Sequence, residues 1–125
     1  MTSLFAQFDG PRLLRQDELI ASERLSRICF GGPEIDNEAE ILTNYVPPKR
    51  GGTYILAHQG KPVSQIGTFH DRIKMYDGDI RAGSIGGVCT HPEYQGKQLA
   101  SHLLEYCTQQ LVDEGATLML ISGAH

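Results

Sequence analysis

The residues best placed to do chemistry lie in one run, Val88-Cys89-Thr90-His91-Pro92-Glu93-Tyr94-Gln95-Gly96-Lys97-Gln98-Leu99-Ala100. It reads as the end of a strand, a short loop with a glycine, and the start of a helix. A helix start presents unpaired backbone N–H groups and the positive end of the helix dipole. Together these form an anion site that suits a diphosphate. Gly96 would let the backbone approach a phosphate with no Cβ in the way, Lys97 adds a cation, and Ala100 is small where the helix must pass close to a ligand or sheet. Without a ligand, Gly96 is a loop glycine and Lys97 a solvated surface charge.

The elements that must position this run are legible on either side of it. Thr53 to His58 is rich in β-formers, Gln59 to Pro62 is a tight turn, Val63 to Tyr76 alternates, and Asp77-Gly78 is a hairpin signal. Three antiparallel strands, 53–58, 63–76 and 79–90, are therefore predicted. Gly96 to Glu114 reads as a long helix whose Leu99, Leu103, Cys107 and Leu111 recur every four residues as a core stripe. Glu114-Gly115 ends it, and the apolar run within 117–122 reads as a strand buried on both faces, parallel to 79–90. Upstream, Pro11 to Arg15 is a candidate first strand. A helix begins near Gln16-Asp17 and stops at Gly31-Gly32-Pro33. A shorter helix covers Asp36 to Tyr45 with Ile41 and Leu42 on its apolar side, ended by Pro47-Pro48 and the loop Lys49 to Gly52.

Bulk properties narrow the class. With 125 residues, 40% of them hydrophobic and 21% charged, the chain suits one globular domain, 1–125. Eleven basic against 15 acidic residues, a net charge of -4, argue against a general nucleic-acid binder. No apolar run approaches the roughly 20 residues that span a bilayer, and the first ten residues lack the charged and apolar regions of a signal peptide. Cys29, Cys89 and Cys107 have no metal-type spacing and read as buried free thiols of a reducing cytoplasm. A cytoplasmic protein without membrane, nucleic-acid or metal partners is expected.

The run from Val88 to Ala100 resembles the GNAT superfamily of N-acetyltransferases. That signature is Gln or Arg, two residues, Gly, one residue, then Gly or Ala, preceded by a strand and a proline. Gln95 and Ala100 fit its outer positions, and Gln98 stands where the family has glycine. A side chain there either crowds the diphosphate or points away. The order of elements agrees from about Pro11 to the end. The resemblance implies an α/β (α+β) GNAT-like acyl-CoA acyltransferase fold with a central mixed sheet, and acetyl-CoA as co-substrate. Its contacts would be Val88, Cys89, Thr90, Gln95, Gly96, Lys97, Gln98, Leu99, Ala100 and Ser101. It also implies a bulged strand at Gly86-Gly87 that splays from its neighbour to admit the pantetheine arm.

The implied reaction is direct attack of a primary amine, small or peptidic, on the thioester, with a backbone N–H of Val88 or Cys89 facing the oxyanion. A non-catalytic acetyl-CoA-binding or assembly fragment is the alternative. The general base and acid stay unassigned. Asp77 and Asp79 read as turn residues, His91 as a loop residue, His70 as structural or exposed, His102 as the edge of the core, and Tyr76 and Tyr94 as anchors. Cys89 as a nucleophile lacks a partner base. The family's tyrosine-bearing helix and last two strands would follow His125, so a truncated domain is expected. Its 117–122 edge would be covered by the missing part or by a second copy. The acidic balance favours a cationic acceptor such as an aminoglycoside, polyamine or lysine side chain.

Overall fold

The structure, a computed structural model, describes residues 7–46 and 51–121. The chain runs β1 (Asp9–Leu13), a 3-10 turn (Gln16–Glu18), α1 (Leu19–Phe30), α2 (Glu38–Asn44), β2 (Gly52–His58), β3 (Lys61–Met75), β4 (Gly78–Thr90), a 3-10 turn (Pro92–Tyr94), α3 (Leu99–Asp113) and β5 (Leu118–Ile121). The strands form one sheet in the order β1-β2-β3-β4-β5. The first four are antiparallel to their neighbours, and β5 lies parallel to β4. Among the described residues no helix is long and apolar enough to cross a membrane.

The alternation of β2 to β4 divides the side chains between two faces. Tyr54, Leu56, Ile66 and Ile85 point to one face and bury under α3, whose Leu99, Leu103, Cys107 and Leu111 are at most 1% exposed. The expected stripe is therefore the helix side of the core, and each buried leucine contributes roughly 1.5–3 kcal/mol. At its end the Ala116 N–H returns to the Leu111 carbonyl, and the Thr117 N–H donates to Arg81 O at 2.9 Å. That bond opens the parallel β4–β5 ladder. Ser122, like the expected helix stop Pro47-Pro48 and the Lys49-Arg50 part of the expected loop, lies outside the described residues.

The other face carries α1. Gln65, 4% exposed, spans the contact: it accepts from Ser22 Oγ at 2.7 Å and donates to Ser26 Oγ at 2.7 Å and Ser22 O at 3.3 Å. A buried amide satisfied in this way holds the helix in one register, because any slip would strand its polar atoms. A second polar tie lies at the helix start. Arg12 of β1 donates both terminal nitrogens to Glu18 at 2.8 Å, and the Arg15 N–H adds a bond at 2.9 Å.

Several boundaries differ from expectation for physical reasons. The first strand lies two residues earlier, since its ladder to β2 runs through Asp9, Arg12 and Leu13. The second helix is only Glu38–Asn44, capped by the Asn37 side chain receiving the Glu40 N–H, and buries no residue; Leu42 is 47% exposed. Cys29 is half-buried rather than buried. The long helix begins at Leu99 rather than Gly96, because Gly96 and Gln98 have φ of 81° and 62°, which a right-handed helix does not accept.

Two outcomes follow. Leu103→Ala should lower stability by about 3 kcal/mol, read as a fall in the urea midpoint at unchanged m; a loss below about 1 kcal/mol would contradict the packing. The Arg12 guanidinium, ahead of the Arg15 N–H, holds the Glu18 carboxyl below its ordinary value of 4.5. That stabilisation is present above the ordinary value and is lost as pH falls through the lowered native one. Glu18→Gln should destabilise at neutral pH and flatten the loss of stability in acid; an unchanged acid slope would contradict it.

Candidate functional site

Strand β4 is paired along its whole length on one side only. Toward β3, Gly67 faces Gly86 and Gln65 faces Cys89, so three steps of β4 oppose two of β3. That is a bulge, and Gly87 makes it possible with a φ of 61°. Toward β5 the pairing covers Ala82–Ile85 against Leu118–Ile121. Among the described residues, β5 offers Gly86 to Thr90 no partner. The expected bulge at Gly86-Gly87 is present; the expected splay of β4 from β5 lies outside the described residues, which end at Ile121.

The direction of the backbone groups beyond the bulge follows from one bond. His91 N–H donates to Val63 O at 2.8 Å. Alternation then turns the Thr90 carbonyl away from β3, where it receives Gln95 Nε2 at 3.3 Å and the Cys29 thiol at 3.5 Å. By the same alternation the Val88 carbonyl, next before Cys89, faces that open side.

The next residues are held tightly. His91 Nδ1 accepts the Glu93 N–H at 3.1 Å and caps the 3-10 turn. Tyr94 is the expected anchor: its hydroxyl lies 2.8 Å from His58 Nδ1, its ring packs on Phe8 and His91, and Lys97 Nζ sits 5.7 Å from the ring centre. Gly96 and Gln98 then turn left-handed, and the first bond of α3 is His102 N–H to Gln98 O at 3.1 Å. Gln98 makes no side-chain cap. The N–H groups of Leu99, Ala100 and Ser101 therefore have no acceptor within the helix. They edge a cavity of about 310 Å³ bounded by Thr90, Tyr94, Gln95, Gly96 and Gln98 to Ser101. An added Cβ at Gly96 would meet open space. Uncapped helix N–H groups beside an open left-handed turn fit an anionic phosphate group.

The expected site residues thus converge, with different parts to offer. Leu99 is 1% exposed, so its side chain belongs to the core and only its N–H faces the cavity. The Gln95 side chain is spent on Thr90. The Thr90 hydroxyl lies 2.9 Å from Ser64 Oγ. Cys89 is buried on the α1 face, and burial, followed by the adjacent Cys29 thiol, pushes its pKa far up. A thiol so held, with no base beside it among the described residues, is a poor nucleophile toward a thioester. His70 is not an exposed base: its buried ring faces Glu114 at 3.6 Å. Asp79 pairs with Arg72 at 3.8 Å near the hairpin, and Tyr76 is fully exposed rather than an anchor.

A second cavity, about 310 Å³, lies on the α1 face between α1, α2 and β3–β4, with Gly86 and Gly87 on its floor. Ser22, Glu23, Ile41, Tyr45, Gln65 and Phe69 line it. An adjoining hollow of about 400 Å³ shares Glu23, Ile41 and Tyr45 and adds Asp36, Glu40 and Asn44. Glu23 pairs with Arg27 at 3.1 Å. Nothing in the local sequence marks these carboxylates, since acids on helix faces are ordinary; the fold alone gathers them.

Gln98 occupies a conformation that favours glycine. Gln98→Gly should stabilise the chain by about 1 kcal/mol and raise Tm by about 4 °C. A fall in Tm would show that the side chain holds the turn in another way.

The sequence model of the acetyltransferase (GNAT) domain matches residues 11–125. No curated protein matches the chain. Among solved structures, an acetyltransferase from Trypanosoma brucei has a TM-score of 0.76 at 19% identity, with 91% of this chain and 82% of that one covered. A conserved protein of Enterococcus faecalis V583, described as a probable N-acyltransferase, gives 0.74 at 15% identity over 91% of this chain and 29% of its own. An aminoglycoside N-acetyltransferase in complex with CoA gives 0.70 at 13% identity, covering 90% of this chain and 75% of that one. At these identities the likeness is one of fold, and the match over residues 11–125 carries the assignment: the chain belongs to the GNAT acetyltransferase domain family.

Proposed function

We propose that the domain transfers acetyl from acetyl-CoA to a primary amine, which attacks the thioester directly. The observation that carries this reading is the uncapped start of α3 beside a strand that no described residue pairs on its β5 side from Gly86 to Thr90. The N–H groups of Leu99, Ala100 and Ser101, with the Gly96-Lys97-Gln98 turn, would hold the diphosphate. The outward Val88 carbonyl and Thr90 N–H, on either side of Cys89, would run along the pantetheine arm. The thioester is the activated acyl donor that this arm would deliver to the bulge. There a backbone N–H of Val88 or Cys89 would face the charge developing on the carbonyl oxygen.

The amine would enter from the α1 face. Its cavity reaches Gly86-Gly87, so an acceptor there meets the donor at the bulge from the opposite side of the sheet. Asp36 and Glu40 line the adjoining hollow, where Glu23 is paired with Arg27, and would draw in a cation.

A specific observation favours a second reading, binding without turnover. Gln98 puts a side chain at a left-handed position beside the phosphate cavity. One experiment separates the two. Coenzyme A at 100 times its Kd should stabilise the chain by about 2.7 kcal/mol, and Gly96→Glu should abolish that rise in Tm while leaving the circular dichroism unchanged. Acetyl-CoA with a polyamine should release free thiol. Stabilisation without thiol release across amine classes supports the second reading, and stabilisation that survives Gly96→Glu contradicts the assignment of the phosphate turn.

A further inference from the structure

Two of the three thiols meet between α1 and β4. Ser22, Ser26 and Cys29 follow one another at four and three residues along α1 and so share one stripe. Gln65 fixes where that stripe lies, through its bonds to Ser22 and Ser26. Cys89 is the direct partner of Gln65 across the β3–β4 ladder, so its side chain leaves the same face of the sheet. One turn beyond Ser26, Cys29 Sγ reaches the carbonyl of Thr90, the residue next to Cys89, at 3.5 Å. Both side chains therefore lie between α1 and the same end of β4. Their exposure differs: Cys29 is half-buried, whereas Cys89 is 6% exposed.

We propose that Cys29 and Cys89 form a redox-modification site, in which Cys29 is oxidised by a hydroperoxide and Cys89 resolves it as a disulfide joining α1 to β4. Cys29 is the thiol that solvent reaches, and burial leaves Cys89 as thiol rather than thiolate. The Cys29 sulfur attacks the terminal peroxide oxygen, the O–O bond breaks, and the alkoxide leaves with the thiol proton as an alcohol, or as water from hydrogen peroxide. Cys29 is then a sulfenic acid. The Cys89 sulfur attacks that sulfur; the S–S bond forms, the S–O bond breaks, and the hydroxide leaves with the Cys89 proton as water. Two thiols lose two electrons and the peroxide gains them. Cys107 takes no part. It lies on the other face of the sheet, fully buried under α3, where burial pushes its pKa up to about 12.

The disulfide itself follows from the placement of the thiols and does not depend on the cofactor reading. Only its consequence rests on that reading: it would tie α1 beside Thr90, whose carbonyl also holds Gln95 ahead of the phosphate turn.

The test uses the full chain, folded, treated with hydrogen peroxide, blocked with N-ethylmaleimide and digested without reductant. Loss of two hydrogens per chain, a peptide pair linked through Cys29 and Cys89, and a Cys107 that takes the label only after unfolding are expected. Cys29→Ser should retain the native circular dichroism and lose the linked pair. A disulfide to Cys107, a disulfide between chains, oxidation of Cys29 to the sulfinic acid with no linked pair, or no oxidation at all would each overturn the proposal.

Discussion

Among the described residues the fourth strand is bonded on one side and open on the other between Gly86 and Thr90, and the contacts around it follow from that. A strand in mid-sheet normally spends both rows of peptide groups on its neighbours. Here the β3 side stays paired across a bulge, while the β5 ladder covers only Ala82 to Ile85. The open row needs support, and three contacts supply it. Ser64 holds the Thr90 hydroxyl, Val63 takes the His91 N–H, and Gln95 returns its amide to the Thr90 carbonyl. The strand stays extended without a second neighbour, and the turn after it is fixed to its end.

The same economy governs the turn into α3. Two left-handed residues delay the helix until Leu99, so the chain leaves β4, wraps Tyr94 onto His58 and enters the helix with its first N–H groups unspent. The Leu99 stripe then locks the helix axis to the sheet. Core and site are therefore one construction: the side chain of Leu99 belongs to the first and its N–H to the second. On the opposite face, Gln65 does the equivalent for α1. A buried amide satisfied by two serines is costly to misplace, and it brings both the α1-face cavity and Cys29 to β4.

What the sequence made legible was whatever repeats or breaks a pattern. The spacing of Leu99, Leu103, Cys107 and Leu111 marked the core face of α3, the alternation from Val63 and the Asp77-Gly78 signal marked the β3–β4 hairpin, and the apolar run after Gly115 marked the parallel strand. Gly86-Gly87 marked the bulge because the absence of side chains has few uses in a strand. The start of α3 lies three residues later than the sequence suggests for a local reason: Lys97 and Gln98 are good helix formers, and a glutamine does not itself mark the left-handed conformation that Gln98 takes. Contacts across long separations left no trace. Ser22 and Gln65 are 43 residues apart and Cys29 and Thr90 are 61 apart, so only the fold pairs them. The carboxylates of Glu23, Asp36 and Glu40 likewise became a lining only once α1 and α2 were placed.

The central claim concerns particular amide groups, so the most direct measurement observes them. In a 15N–1H correlation spectrum of the full chain titrated with coenzyme A, the largest shifts should fall on Gly96, Lys97, Gln98, Leu99, Ala100 and Ser101, with a second set at Val88 to Thr90. The amides of β2 and of α1 away from Cys29 should stay in place. Saturable shifts confined to another surface, with residues 96–101 unmoved, would contradict the account.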